Sequence, residues 1–174
     1  MSRHFKIKGL LVVILLTIAF YSVQAIQAQE AVPHAPEYRI LLGKSLNNEV
    51  IVKLMATNGC VQETQFVLCR EAGMALWLDP NHIVRKVYLY VNNSDGFTAY
   101  KGELPFGLKF YDIMGAVEYK LNRQGVGNAG LPDRVAVPDH MHYWAFYDEY
   151  GITILYNSPF ADEDATIYAV IVDQ

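Results

Sequence analysis

The chain is poor in cysteine, poor in clustered positive charge and devoid of the common catalytic signatures, and each shortage removes a class of function. Cys60 and Cys69 are its only cysteines. They are not spaced as C-x-x-C and no third metal ligand lies near them, which argues against a redox-active or zinc-binding pair. Basic residues are scattered singly, with no run longer than Arg85-Lys86. A phosphate backbone would find no basic footprint, so nucleic acid is not an expected partner. There is no G-x-S-x-G, no P-loop and no dinucleotide fingerprint. Ser45, Ser94 and Ser158 stand in cap-like or turn contexts without a recognisable His and Asp arrangement. Asp133, Asp139, Asp148 and Glu149 flank turns, where carboxylates usually make local hydrogen bonds. No cofactor is implied, and an enzyme is the less favoured class.

What is present begins at the N-terminus. Arg3, His4, Lys6 and Lys8 form a basic head before the uncharged apolar run Gly9 to Phe20. Such a run is short for a membrane span, which needs about 20 apolar residues, and suits the core of a secretory signal. Val23 with Ala25, or Ile26 with Ala28, offers the small residues that a signal peptidase requires. Residues 1 to about 28 are therefore expected to be a cleaved signal, the alternative being an uncleaved N-terminal anchor. No cysteine lies near the cut to carry a lipid, so the mature form is expected to have no stable membrane anchor, in the periplasm or secreted. Removing the head takes away three of 14 basic residues and none of 18 acidic ones, so the net charge moves from -4 to 11 minus 18, or -7. In an oxidising compartment, Cys60 and Cys69 are expected to form one disulfide.

A polar lead with Pro33 and Pro36, residues 29–37, precedes one compact domain. Two stretches within it read alike. Gly43-Lys44-Ser45-Leu46, then Val50 and Leu54, parallels Gly107-Leu108-Lys109-Phe110, then Val117 and Leu121. Apolar residues four apart predict a short amphipathic helix in each, with Ser45 or Asn47 capping the first and Asp112 the second. At an offset of 78, Phe66, Leu68, Glu71, Gly73, Met74 and Leu76 fall on Trp144, Phe146, Glu149, Gly151, Ile152 and Ile154. The turns Arg70-Glu71-Ala72-Gly73 and Asp148-Glu149-Tyr150-Gly151 predict a hairpin in each half, followed by strands over 83–91 and 166–172. The expected fold is α+β: two similar units, 38–96 and 97–174, each a short helix followed by antiparallel strands. Phe97 to Leu104 is expected to be an additional extended segment. Residues 123–139, with three glycines and two prolines, read as a loop insertion and a candidate binding edge.

The sharpest metal candidate is Asp139-His140-Met141-His142, because His140 and His142 project from one face of a strand. Two imidazoles make half a zinc site, and His34 and His82 add no ligand spacing. The Asp162-Glu163-Asp164 run reads as a solvated loop, with a basic partner or a cation as the alternative.

The carriers Gly43 to Leu54 with Phe66 to Leu76, and Gly107 to Leu121 with Trp144 to Ile154, make the chain resemble the β-lactamase-inhibitory-protein superfamily. That group comprises secreted inhibitors and small envelope-assembly proteins. The resemblance implies a tandem-repeat fold and a disulfide bracing the first repeat, but no site residues. The second repeat lacks a cysteine pair, and the lipoprotein members' anchoring cysteine is absent. Tyr100 to Leu108 also resembles a segment of uncharacterised bacterial proteins. The sequence thus leads to an exported, non-enzymatic protein that binds another protein, as an inhibitor, a toxin-neutralising immunity protein or an envelope factor. Tyr88, Tyr90, Tyr143 and Tyr147 are the candidate contact residues. The alternatives are a metal-dependent protein using Asp139, His140 and His142, and a structural envelope component.

Overall fold

The computed structural model describes residues 37–91, 94–122, 126–127 and 142–174. The expected signal, nearly all of the lead, most of the 123–139 insertion, and Asp139 and His140 lie outside the described residues.

Among the described residues, two α-helices and eight strands make an α+β fold: α1 (Glu49–Thr57), β1 (Val61–Glu63), β2 (Phe66–Cys69), β3 (Met74–Leu78), β4 (Val84–Tyr90), α2 (Met114–Leu121), β5 (Val126–Gly127), β6 (Tyr143–Tyr147), β7 (Ile152–Tyr156) and β8 (Ile167–Asp173). The strands form one antiparallel sheet in the order β1-β2-β3-β4-β8-β7-β6-β5. Strands β1 to β4 are thus sequential neighbours, as are β5 to β8, and β4 meets β8 at the centre.

The helices start where local hydrogen bonding allows, and not at the residues nominated from sequence. Asn48 caps α1, its Oδ1 accepting from the Val50 amide at 3.0 Å. Ser45 instead bridges to Ile83 and accepts the Asn48 amide through its carbonyl. Within α1, Ile51 and Leu54 face inward, while Val50 turns outward. Helix α2 begins after Ile113 with no side-chain cap. Asp112, nominated for that role, is buried, and its carboxylate accepts from the Lys109 amide and the Lys120 ammonium, both at 2.7 Å. A buried carboxylate needs such partners to offset its lost hydration. Val117 and Leu121 anchor α2 to the core.

The two hairpins turn identically. Arg70–Ala72 and Asp148–Tyr150 form 3-10 turns, each ended by a glycine in the left-handed region, Gly73 (φ 68°) and Gly151 (φ 58°). The pairs Phe66↔Trp77 and Cys69↔Met74 recur 78 residues later as Trp144↔Leu155 and Tyr147↔Ile152. Strand β3 pairs with β4, and β7 with β8, each with a register shift at the corresponding site, between Trp77 and Leu78 and between Leu155 and Tyr156.

Phe97 to Leu104 is not a strand of the sheet. The Thr98 amide bonds to the Arg70 carbonyl and the Tyr100 amide to the Tyr90 carbonyl, which leads the chain across the β2–β3 turn. Cys60 and Cys69 form the expected disulfide, tying the segment after α1 to β2. Closing so short a loop stabilises the fold by about 2 to 3 kcal/mol through the unfolded chain's lost entropy.

Side chains alternate across the sheet. One face, with Val67, Met74, Leu76, Val87, Leu89, Ile152, Ile154, Val170 and Val172, packs with Ile51, Leu54, Val117 and Leu121 of the helices into the main core. The other face forms a separate apolar cluster to which no described helix contributes.

Candidate functional site

Cross-strand pairing defines the helix-free face residue by residue. From β2 it takes Phe66 and Leu68, from β3 Ala75 and Trp77, and from β4 Lys86, Tyr88 and Tyr90. Across the central pair come Ala169, Ile171 and Asp173 of β8, then Thr153 and Leu155 of β7, then Trp144 and Phe146 of β6. Both tryptophans of the chain are on it, half-buried and diagonally apart, Trp77 toward one end of the strands and Trp144 toward the other.

The aromatic rings are ordered by one another. Phe66 meets Tyr88 edge-on at 5.8 Å, Tyr88 stacks on Tyr90 at 6.4 Å, and Tyr90 stacks on Phe97 at 4.1 Å. The Arg70 guanidinium lies 5.7 Å from the Phe97 centroid. Such contacts hold rings in fixed orientations and reduce the entropy cost of using them as contact surface. Near Trp144, the His142 ring stacks on Tyr168 at 3.8 Å, and the Tyr168 hydroxyl donates to the Asp95 carboxylate at 2.7 Å. Burial pushes the Tyr88 phenol up to about 12, with the Asp173 charge acting in the same direction. Burial likewise raises Tyr90 and Tyr168, the latter also through its bond to Asp95. These phenols remain neutral donors at physiological pH and are not poised for proton transfer.

The four nominated tyrosines divide by strand parity. Tyr88 and Tyr90 are on the helix-free face, where Tyr88 is buried and Tyr90 half-buried. Tyr147 is 3% exposed on the helix side, its hydroxyl 3.4 Å from that of Tyr156. Tyr143 is half-buried against the main core, its ring 6.1 Å from Tyr156. Both are on the helix side of the sheet, because odd-numbered positions of β6 point toward the helices. The helix-free face also carries Phe66, Trp77, Trp144 and Phe146, which were not among the residues nominated from sequence. The offset of 78 aligns Phe66 with Trp144 and Leu68 with Phe146, so these positions share a face in the structure as they share an alignment in the sequence.

Of the metal candidates, only His142 is among the described residues. Its Nδ1 lies 3.0 Å from the Tyr156 carbonyl oxygen, so a neutral ring donates there. Among the described residues no group of three or more His, Cys, Asp or Glu converges as a metal site. His82 sits apart, in the turn between β3 and β4. Ser45 and Ser94 lie at isolated bridges, and Ser158 accepts the Phe160 amide through its Oγ at 3.2 Å. No helix among the described residues is long and apolar enough to cross a membrane.

Comparison with protein families, with curated proteins and with solved structures found no match to the chain. The class that fold and site define is an α+β domain with one eight-stranded antiparallel sheet, helices on one face and an ordered aromatic surface on the other.

Proposed function

We propose that the chain is exported and acts without catalysis by binding another protein, as an inhibitor, a toxin-neutralising immunity protein or an envelope factor, through the helix-free face of its sheet. The observation that carries this reading is the placement of both tryptophans, half-buried, on the one sheet face to which no described helix contributes. Tryptophan and tyrosine dominate the energetics of protein interfaces because a large rigid ring is desolvated at little conformational cost. Export is supported by the basic head and apolar run of residues 1–28 and by a disulfide compatible with an oxidising compartment. A duplicated helix-hairpin-strand unit, and with it the likeness to the β-lactamase-inhibitory-protein superfamily, is supported by hairpin registers that recur at an interval of 78.

The test is site-specific photo-cross-linking in the producing cells. A photoreactive phenylalanine derivative replaces Trp77 or Trp144 on the sheet face, and in controls Val52 or Tyr119 on the exposed sides of the helices. One discrete protein adduct from the sheet positions and none from the controls is expected. Absence of a protein adduct at both sheet positions overturns the reading.

A further inference from the structure

Glycine follows an asparagine or an aspartate at two places in the chain, Asn58-Gly59 and Asp95-Gly96. Such a pair is open to one reaction above others, attack of the glycine amide nitrogen on the preceding side chain's Cγ, because a glycine has no Cβ to shield the approach. The structure separates the two. Asp95 stands in a turn closed by the Phe97 amide on the Ser94 carbonyl at 2.7 Å, and its carboxylate accepts the Tyr168 hydroxyl at 2.7 Å. A carboxylate is also a poorer electrophile than an amide. Asn58 carries the amide, half-buried at the C-terminal end of α1, and the glycine after it is exposed. Gly59 takes φ 56°, and a Cβ built on it would meet nothing within 4 Å, so the space around this peptide link is open.

A single carbonyl holds Asn58 in place. The Leu54 oxygen accepts both the Asn58 backbone amide at 3.1 Å and the side-chain Nδ2 at 3.0 Å. While those bonds last the side chain stays on Leu54, so the reaction waits for the last turn of α1 to open. Helix ends are where opening costs least. Just beyond, the chain is fixed again, with the Cys60 amide on the Met55 carbonyl at 3.1 Å and the Cys60 sulfur bonded to Cys69. The reactive link thus lies between two anchored points.

We infer that Asn58 is this chain's site of spontaneous deamidation, and that the product loosens the end of α1. The Gly59 nitrogen bonds to Asn58 Cγ, the Cγ–Nδ2 bond breaks, and Nδ2 leaves as ammonia with the proton that the Gly59 nitrogen gives up. Solvent water then opens the cyclic imide. Opening at Cγ leaves aspartate, and opening at the backbone carbonyl leaves isoaspartate, whose main chain runs through Cβ. Nothing is oxidised or reduced. Either product puts an acceptor-only carboxylate where the Leu54 carbonyl had a donor, and sets negative charge at the negative end of the helix dipole. Isoaspartate also lengthens the main chain between α1 and the disulfide.

The experiment incubates the purified, disulfide-bonded chain at mildly alkaline pH in oxygen-18 water and follows every asparagine-containing peptide by mass spectrometry, with isoaspartate scored separately. The peptide that contains Asn58 is expected to convert ahead of those containing Asn48, Asn81 and Asn157, to take up solvent oxygen and to appear in two isomeric forms. The converted chain, separated by its added charge, is expected to melt at a lower temperature than the unconverted one. Gly59→Ala is expected to slow the conversion several-fold, its fold verified by the disulfide and a thermal melt. Asn58→Gln, which enlarges the ring that must close and leaves Gly59 untouched, is expected to suppress it as well. No conversion at Asn58, conversion first at another asparagine, or an unchanged rate in the Gly59→Ala chain overturns the assignment of the site. A converted chain that melts with the unconverted one overturns its coupling to α1.

Discussion

Gly73 and Gly151 end equivalent hairpin turns with nearly the same left-handed backbone, yet only Gly73 is crossed by another segment. A Cβ on Gly73 would collide with the Tyr100 amide nitrogen and would stand 2.5 Å from the Thr98 carbonyl oxygen. A Cβ on Gly151 would find nothing nearer than the Asp173 carbonyl oxygen at 3.7 Å. Gly151→Ala therefore faces only the left-handed penalty, about 1 to 2 kcal/mol. Gly73→Ala adds a backbone clash and is expected to cost about 3 kcal/mol or more. Urea denaturation of the two variants measures the difference, and equal losses would contradict this account of the 98–100 crossing.

Capping gives a second discriminating pair. Asn48→Ala removes the acceptor of the Val50 amide and is expected to cost about 1 kcal/mol, whereas Asn47→Ala leaves that bond intact and changes stability by less than about 0.5 kcal/mol. Thermal melts followed by circular dichroism compare them directly.

The disulfide spans nine residues of sequence. A Cys60→Ala, Cys69→Ala chain is expected to lose about 2 to 3 kcal/mol with its fold preserved. Denaturation of the native chain with reductant should reproduce that loss and leave the double variant unaffected.

Stability should also fall at alkaline pH. Burial pushes Tyr88 and Tyr100 up to about 12, above the value near 10 of an unfolded chain. Below pH 10 both states keep these protons and stability is unaffected. Between pH 10 and 12 the unfolded chain has released protons that the native state still binds, so each group lowers stability by up to about 1.4 kcal/mol per pH unit. Tyr88→Phe is expected to make the decline shallower. Urea midpoints at several pH values above 9, with phenolate absorbance followed in parallel, test the sign and the share of this residue.

The hairpins were legible because their determinants are local: a glycine able to take positive φ, flanked by β-branched and aromatic strand residues, at one interval of 78. The caps were not, because Ser45, Asn47 and Asn48 are chemically similar acceptors within four residues, and the bridge from Ser45 to Ile83, which fixes where the helix starts, is a long-range contact. Asp112 was misassigned for a related reason, since its partner Lys120 comes from the far end of the helix it was expected to cap. The candidate site was half legible. Tyrosine content drew attention to β4 and β6 alike, but the face a tyrosine occupies follows from register, and register shows only in paired strands.

The central pairing of β4 with β8 joins residues such as Tyr88 and Ile171, 83 positions apart, as 171 minus 88 gives. During synthesis β4 is made long before the strand that will cover its outer edge. Until then a seven-residue edge with two valines, two tyrosines and a leucine lies open, a template for pairing with the wrong chain. A nascent chain of this design has most to gain from a holdase that shields β4, and its yield, more than its final stability, is what such a chaperone would change.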